Sequence, residues 1–101
     1  MAGKRESEFQ RKLKHDLRKM FPGCFVIKLD ANQIQGLPDL LVLYKDKWAT
    51  LECKRDIKSK NNPRPNQNYY VDVMDRMSFS RFIYPENREE VLHELQRTFE
   101  A

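Results

Sequence analysis

Three side chains stand out by type and spacing. Asp39 follows Pro38 at the mouth of the apolar run Leu40-Leu41-Val42-Leu43, and twelve residues separate it from the triplet Glu52-Cys53-Lys54. In an extended strand residues two apart point to the same face, so Glu52 and Lys54 project together while Leu51 and Cys53 point the other way. Trp48 and Thr50 continue the Glu52 face. A tight turn at Lys45-Asp46-Lys47 folds the two runs into a hairpin, which sets the start of the first strand beside the end of the second. Asp39 then lands next to Glu52 and Lys54. Two carboxylates that close repel each other, and a divalent cation removes the repulsion. Mg²⁺, or Mn²⁺ in its place, suits one or two carboxylates completed by water and phosphate oxygens. Such a cation activates a water and neutralises charge growing at phosphorus, and an adjacent ammonium adds to that stabilisation. The chemistry available to this constellation is hydrolysis of a phosphate ester.

The elements that must position these groups follow from the hydrophobic pattern. Residues 5–20 read as an amphipathic helix with Phe9, Leu13, Leu17 and Met20 on one stripe, ended by Phe21-Pro22-Gly23. Cys24–Leu29 is a short strand, and Asp30–Leu37 a polar loop. Pro38–Tyr44 is a strand expected to be buried on both faces, and Trp48–Lys54 is the return strand. Arg55–Asn66 is a basic loop in which Pro63 and Pro65 exclude a long helix. Asn66 is placed to cap a helix over Gln67–Met77, facing inward through Val71 and Met74. Phe79–Tyr84 is a strand. A last helix follows Pro85-Glu86-Asn87, with Val91, Leu92, Leu95 and Phe99 inward. The order α-β-β-β-α-β-α around one mixed central sheet flanked by helices predicts an α/β domain, and 101 residues suit one domain, 1–101.

Composition bounds the partners. The net charge is +4 and pI about 9.2. Residues 1–20 and 45–64 each hold seven Lys or Arg against three acids, whereas 85–101 hold two against five. That asymmetry fits one face turned to a polyanion as well as it fits a generic solvated surface. Lys58, Lys60 and Arg64 follow Lys54 directly and are candidates for phosphate contacts; Lys28 and Gln35 are weaker candidates from the preceding strand and loop. No apolar run approaches the roughly 20 residues of a membrane span. The N-terminal region has no signal-peptide apolar stretch. A soluble, intracellular protein is expected. Cys24 and Cys53 lack metal or redox spacing and read as buried free thiols. His15 and His93 read as surface residues, and Tyr69 and Tyr70 as packing residues or base-stacking platforms.

The motif Pro38-Asp39, a 12-residue gap, then Glu52-Cys53-Lys54 resembles the signature of the PD-(D/E)xK nuclease superfamily. The element order over residues 5–95 is similar as well. Gly36-Leu37-Pro38-Asp39 with Gln67 on the following helix looks like the VRR-NUC branch, which includes small stand-alone, often phage-encoded nucleases similar to Holliday-junction resolvases. The resemblance implies a restriction-endonuclease-like core and a Mg²⁺- or Mn²⁺-dependent endodeoxyribonuclease of bacterial or phage origin. It also implies branched DNA such as a four-way junction as substrate, a homodimer, and a place in repair or recombination. The metal ligands implied are Asp39, Glu52, the backbone carbonyl of Cys53 and an acid on the first helix, with Gln67 near the reaction. Glu6 and Glu8 are the candidates for that acid. At roughly 100° per residue Glu6 falls on the stripe of Phe9 and Leu13 and Glu8 toward solvent, which favours Glu6. The alternatives are a nicking or single-strand nuclease within a repair or replication complex, a nucleic-acid-binding module that does not cleave, and a purely structural domain.

Overall fold

The computed structural model describes residues 7–101. Glu6, the favoured helix acid, therefore lies outside the described residues. The chain runs α1 (Glu8–Met20), β1 (Phe25–Lys28), β2 (Leu40–Tyr44), β3 (Lys47–Cys53), α2 (Ile57–Lys60), α3 (Gln67–Met77), β4 (Ser80–Ile83) and α4 (Arg88–Phe99). This is an α/β fold with a four-stranded mixed sheet in the order β1-β2-β3-β4. The first three strands form an antiparallel meander, and β4 returns parallel to β3 through the α3 crossover.

Local chemistry sets the element ends. Ser7 caps α1 by accepting the Gln10 N–H at 3.0 Å, which satisfies one of the first-turn donors a helix leaves orphaned. Glu8 at its start and Arg18 and Lys19 at its end complement the helix dipole. The β2–β3 hairpin turns on Lys45-Asp46, with Tyr44 opposite Lys47 and Lys45 in the left-handed region at φ 58°.

One face of the sheet carries the core. Leu40 pairs with Leu51 and Val42 with Ala49 in the β2–β3 register. These four side chains pack against Leu13, Leu17 and Phe21 of the α1 end and against Val91, Leu92, Leu95 and Phe99 of α4. Phe21, Tyr44 and Phe99 form an aromatic cluster with centroids 5.0–5.7 Å apart, an arrangement that adds to their burial. Among the described residues the opposite face is covered chiefly by α3, which packs on β3 and β4. There Thr50 bonds Ser80 at 2.7 Å and Met74 lies over the Thr50 hydroxyl.

Five expectations need correction. β2 is buried on one face only, because α3 does not reach over β1 and β2; Leu41 and Leu43 stay half-exposed, and Phe25 and Ile27 of β1 are exposed. The buried stripe of α1 is Gln10-Leu13-Leu17, with Phe9 and Met20 at its margins. The basic loop contains one helical turn, α2. Asp56 caps it by accepting the Ser59 N–H at 2.9 Å, and the turn ends before Pro63. Asn66 makes no side-chain cap bond. It sits at φ 69°, and α3 begins without that satisfaction. Cys24 and Cys53 are free but only half-buried.

Candidate active site at the end of the β2–β3 hairpin

The hairpin register places Asp39 beside Glu52. Because Leu40 pairs with Leu51, the next residues outward, Asp39 and Glu52, meet where the ladder ends. The contact is direct: the Cys53 N–H donates to Asp39 Oδ2 at 3.0 Å. In an extended strand one residue's N–H and C=O point to the same side, so the Cys53 carbonyl lies on the edge that faces Asp39. Period-two alternation holds through the triplet. Leu51 enters the α1–α4 core, while Glu52 turns to α3.

Glu52 is 4% exposed, an unusual position for a carboxylate. Its Oε2 accepts from Gln67 Nε2 at 2.7 Å and lies 3.7 Å from the Lys54 ammonium. Gln67, the first residue of α3, is itself buried. Its Oε1 accepts from Lys54 Nζ at 2.6 Å and from the Arg64 N–H at 2.9 Å. One amide therefore fixes the carboxylate, the ammonium and the end of the basic loop at once. Three bonds of opposite polarity leave the amide a single orientation.

The remaining Glu52 oxygen, Oε1, is buried and has no hydrogen-bond partner. An orphaned buried carboxylate oxygen is costly. Burial pushes the Glu52 carboxyl up to about 7, and the Asp39 charge pushes it the same way, with Lys54 and the Asp39 main-chain N–H opposing. Asp39 is raised too, chiefly by burial, with its Cys53 hydrogen bond and the charges of Lys28, Lys54 and Arg64 pulling it back. The Cys53 thiol is driven up to about 12, first by burial and then by Asp39. It is an inert neutral thiol, not a nucleophile.

Two raised carboxyls facing each other, one with an unbonded oxygen, are the donor set a hydrated hard cation accepts. Among the described residues no group of three or more His, Cys, Asp and Glu side chains is arranged to hold a metal. Asp39 and Glu52 would therefore bind with water and main-chain oxygen completing the shell, as Mg²⁺ and Mn²⁺ tolerate.

Asp39, Glu52 and Lys54 converge as expected from the spacing, and Gln67, which the resemblance implies near them, joins them. Lys28, at the end of β1 where the neighbouring Leu29 N–H bonds the Asp39 carbonyl, and Arg64 both act electrostatically on Asp39. Lys58 is exposed on α2, Lys60 lies over the Phe82 ring at 6.0 Å, and Gln35 is exposed in the β1–β2 loop. Glu8, the other candidate for the helix acid, is solvent-exposed and paired with Arg11. His15 and His93 are exposed, as is Tyr69.

The glycine of Gly36-Leu37-Pro38-Asp39 has a physical cause. Gly36 sits at φ +93°, and a Cβ there would lie 2.6 Å from Asn66 Cβ and 2.7 Å from the Asn66 carbonyl carbon. The loop that delivers Asp39 is thus pressed against the residue that starts α3 and delivers Gln67. Sequence reasoning missed Gln10, which is buried on α1 with an unpartnered Oε1. Its signal was its spacing from Leu13 and Leu17. A separate cleft between α1 and α4 is lined by Asp16, Arg88 and His93 among others. Arg88 is engaged there by Asp16 and Glu89, and the carboxylate pair lies elsewhere. No helix among the described residues is long and apolar enough to cross a membrane. No protein-family model, curated protein or solved structure matches the chain.

Proposed function

We propose that this chain is a nuclease that uses a divalent cation, Mg²⁺ or Mn²⁺, to hydrolyse phosphodiester bonds in DNA. The observation that carries the reading is the buried Asp39–Glu52 pair with one Glu52 oxygen unbonded and Lys54 held alongside by Gln67. A structural role for this cluster would leave that buried oxygen without a partner. Asp39, Glu52 Oε1 and the Cys53 carbonyl would hold the cation. When bound, it supplies an activated water and neutralises charge at the scissile phosphate. Gln67 keeps Glu52 turned so that Oε1 stays free, and anchors the Lys54 ammonium where it faces charge developing on the phosphate. Lys28 and Arg64 flank Asp39 and offer phosphate contacts on either side of the cut, contacts that read backbone rather than base.

The motif and element order support a PD-(D/E)xK nuclease core, and Gly36-Leu37-Pro38-Asp39 with Gln67 supports the VRR-NUC-like branch. On that resemblance we further propose a branched DNA substrate and action as a homodimer, which sets one site on each of two strands.

The test is Asp39→Asn on four labelled DNA forms: a four-way junction, a flap, a duplex and a single strand. The wild type is expected to cut at least one form with Mg²⁺ or Mn²⁺ and none with EDTA. The variant is expected to bind the same form with similar affinity and leave it intact. Wild-type binding without cutting would mark a nucleic-acid-binding module instead. Undiminished cutting by the variant would remove Asp39 from the site.

A further inference from the structure

The two edges of the sheet are finished differently. The order β1-β2-β3-β4 leaves β1 and β4 each with one side unpaired. On β4, Phe79 and Ile83 bond inward to β3, so Ser80 and Phe82 point outward, and side chains meet them. Asp75 accepts the Ser80 N–H at 3.1 Å, and Arg81 and Asn87 donate to the Ser80 and Phe82 carbonyls at 3.0 Å each. On β1 the Leu29 N–H bonds inward to the Asp39 carbonyl. Antiparallel pairing alternates, so Ile27 and Phe25 also bond inward, and Val26 and Lys28 turn their N–H and C=O groups away from the sheet. Among the described residues no group bonds those four.

The surface beside this open edge is apolar. Phe25 is 66% and Ile27 42% exposed, and they share with the half-exposed Leu41, Leu43 and Trp48 the part of the sheet that α3 leaves open. β1 carries no proline, and its one charge, Lys28, stands at its end. Open edges of this kind are templates for another strand. No Lys or Arg of β1 or β2 alternates onto this face, so it offers a polyanion nothing to pair with. The strand is complementary to itself. Run antiparallel with Ile27 opposite its own counterpart, Val26 meets Lys28 twice, which gives all four outward groups of each copy a partner. Phe25 then faces Leu29, and the two Lys28 ammoniums are not opposite each other. The two-fold axis of such a pair is perpendicular to the sheet and keeps like faces together. Asp39 and Glu52 belong to the face of Leu41 and Trp48, so both carboxylate pairs open on the same side of one eight-stranded sheet.

We infer that β1 is an interaction edge for a second copy of this chain, the two β1 strands pairing antiparallel about Ile27 to join the two sheets into one. The inference rests on the homodimer of the proposed function and gives it a surface; the cleavage chemistry does not depend on it.

Sedimentation equilibrium of the full chain over a concentration series tests it, with wild type and Val26→Pro. Proline removes an N–H that β2 does not use and blocks the outer edge. Wild type is expected to reach twice the 12.2 kDa of one chain, and Val26→Pro to stay at one. The second arm is Ile27→Cys under mild oxidation. Across a non-hydrogen-bonded antiparallel pair the Cα atoms lie about 4.5 Å apart, within disulfide reach. Ile27→Cys is expected to form a covalent dimer that neither wild type, with its Cys24 and Cys53, nor the exposed control Tyr69→Cys forms. This arm decides the matter if Val26→Pro fails to fold. A monomeric wild type at every concentration would overturn the inference. Dimerisation of folded Val26→Pro as strong as in wild type would overturn it too, by placing the interface elsewhere, and so would cross-linking of Ile27→Cys no faster than that of Tyr69→Cys. Metal-dependent DNA cleavage by a chain that gives any of these results would leave the nuclease reading standing without this surface.

Discussion

Leu51 and Glu52 are neighbours on β3 and face opposite environments. Leu51 enters a face where Leu13, Leu17, Leu40 and Leu95 leave no exposed surface. Glu52 enters a face where a carboxylate, an ammonium and an amide are packed out of water, with an oxygen left unbonded. The first side is stabilised by burial of apolar area, which needs no particular geometry. The second costs stability and needs one geometry. A single strand therefore separates what holds the chain together from what, on the proposed reading, does its chemistry.

The contrast can be broken by exchanging the consequences of two adjacent substitutions. Leu51→Ala is expected to lower unfolding free energy by about 2–5 kcal/mol, the range for fully buried leucines. Glu52→Gln is expected to leave stability in EDTA unchanged or raised above neutral pH, while cleavage falls by roughly three orders of magnitude or more given the scale of charge stabilisation in hydrolytic sites. Denaturant melts and single-turnover cleavage rates on the two variants check both. A destabilised Glu52→Gln would mean that the cluster serves the fold.

Gln67→Leu probes the clamp. It frees Lys54, Glu52 Oε2 and the Arg64 N–H together, and a loss of about 10–100-fold in cleavage is expected, as for other partners that orient a site. A Gln67→Leu variant that cleaves at the wild-type rate would show that Glu52 is oriented without it. Gly36→Ala acts at longer range. It forces a side chain into Asn66 and strains a positive φ, so stability should drop by more than about 1 kcal/mol. Cleavage should decline as well, because the displaced residue precedes Gln67. A thermal melt beside a rate measurement separates the two effects.

The smallest effect expected is the pH response. The Glu52 carboxyl is raised to about 7 by burial and Asp39, and Asp39 is raised in the same direction. For a carboxyl raised in the folded state, the folded protein binds more protons than the unfolded chain. Its contribution is full below the ordinary carboxylate range and is lost as pH climbs toward about 7. Without metal, stability should fall across that interval. Mn²⁺ affinity should rise over it and level off above, since the ion competes with the proton. Glu52→Gln should flatten both curves, and thermal midpoints and Mn²⁺ titrations at several pH values would show whether it does.

What could be read in the sequence is what periodicity governs. Alternation through Leu51-Glu52-Cys53-Lys54 and a short hairpin turn were enough to bring Asp39, Glu52 and Lys54 together, and helical spacing identified Val71, Val91, Leu92, Leu95 and Phe99 as inward. Features set by long-range contact were hidden. The open face of β2 depends on how far α3 extends, which no local pattern encodes. The left-handed Asn66 depends on Gly36 pressing on it from a loop 30 residues earlier. Gln10 was passed over because a polar residue breaks an apolar stripe, although its spacing from Leu13 and Leu17 places it on that stripe. Asp56 does not look like a helix start beside Pro63 and Pro65, yet its carboxylate caps one turn before them.

The central claim is that Asp39 and Glu52 hold a divalent cation that drives cleavage of DNA. Its most direct test follows a labelled four-way junction and a matching duplex with wild type and Glu52→Gln, first in EDTA and then after Mg²⁺ or Mn²⁺ is restored. The account predicts no cleavage in EDTA, cleavage by the wild type once metal returns, and none by Glu52→Gln under either condition. Cleavage that persists in EDTA, or equal cleavage by Glu52→Gln, would contradict it.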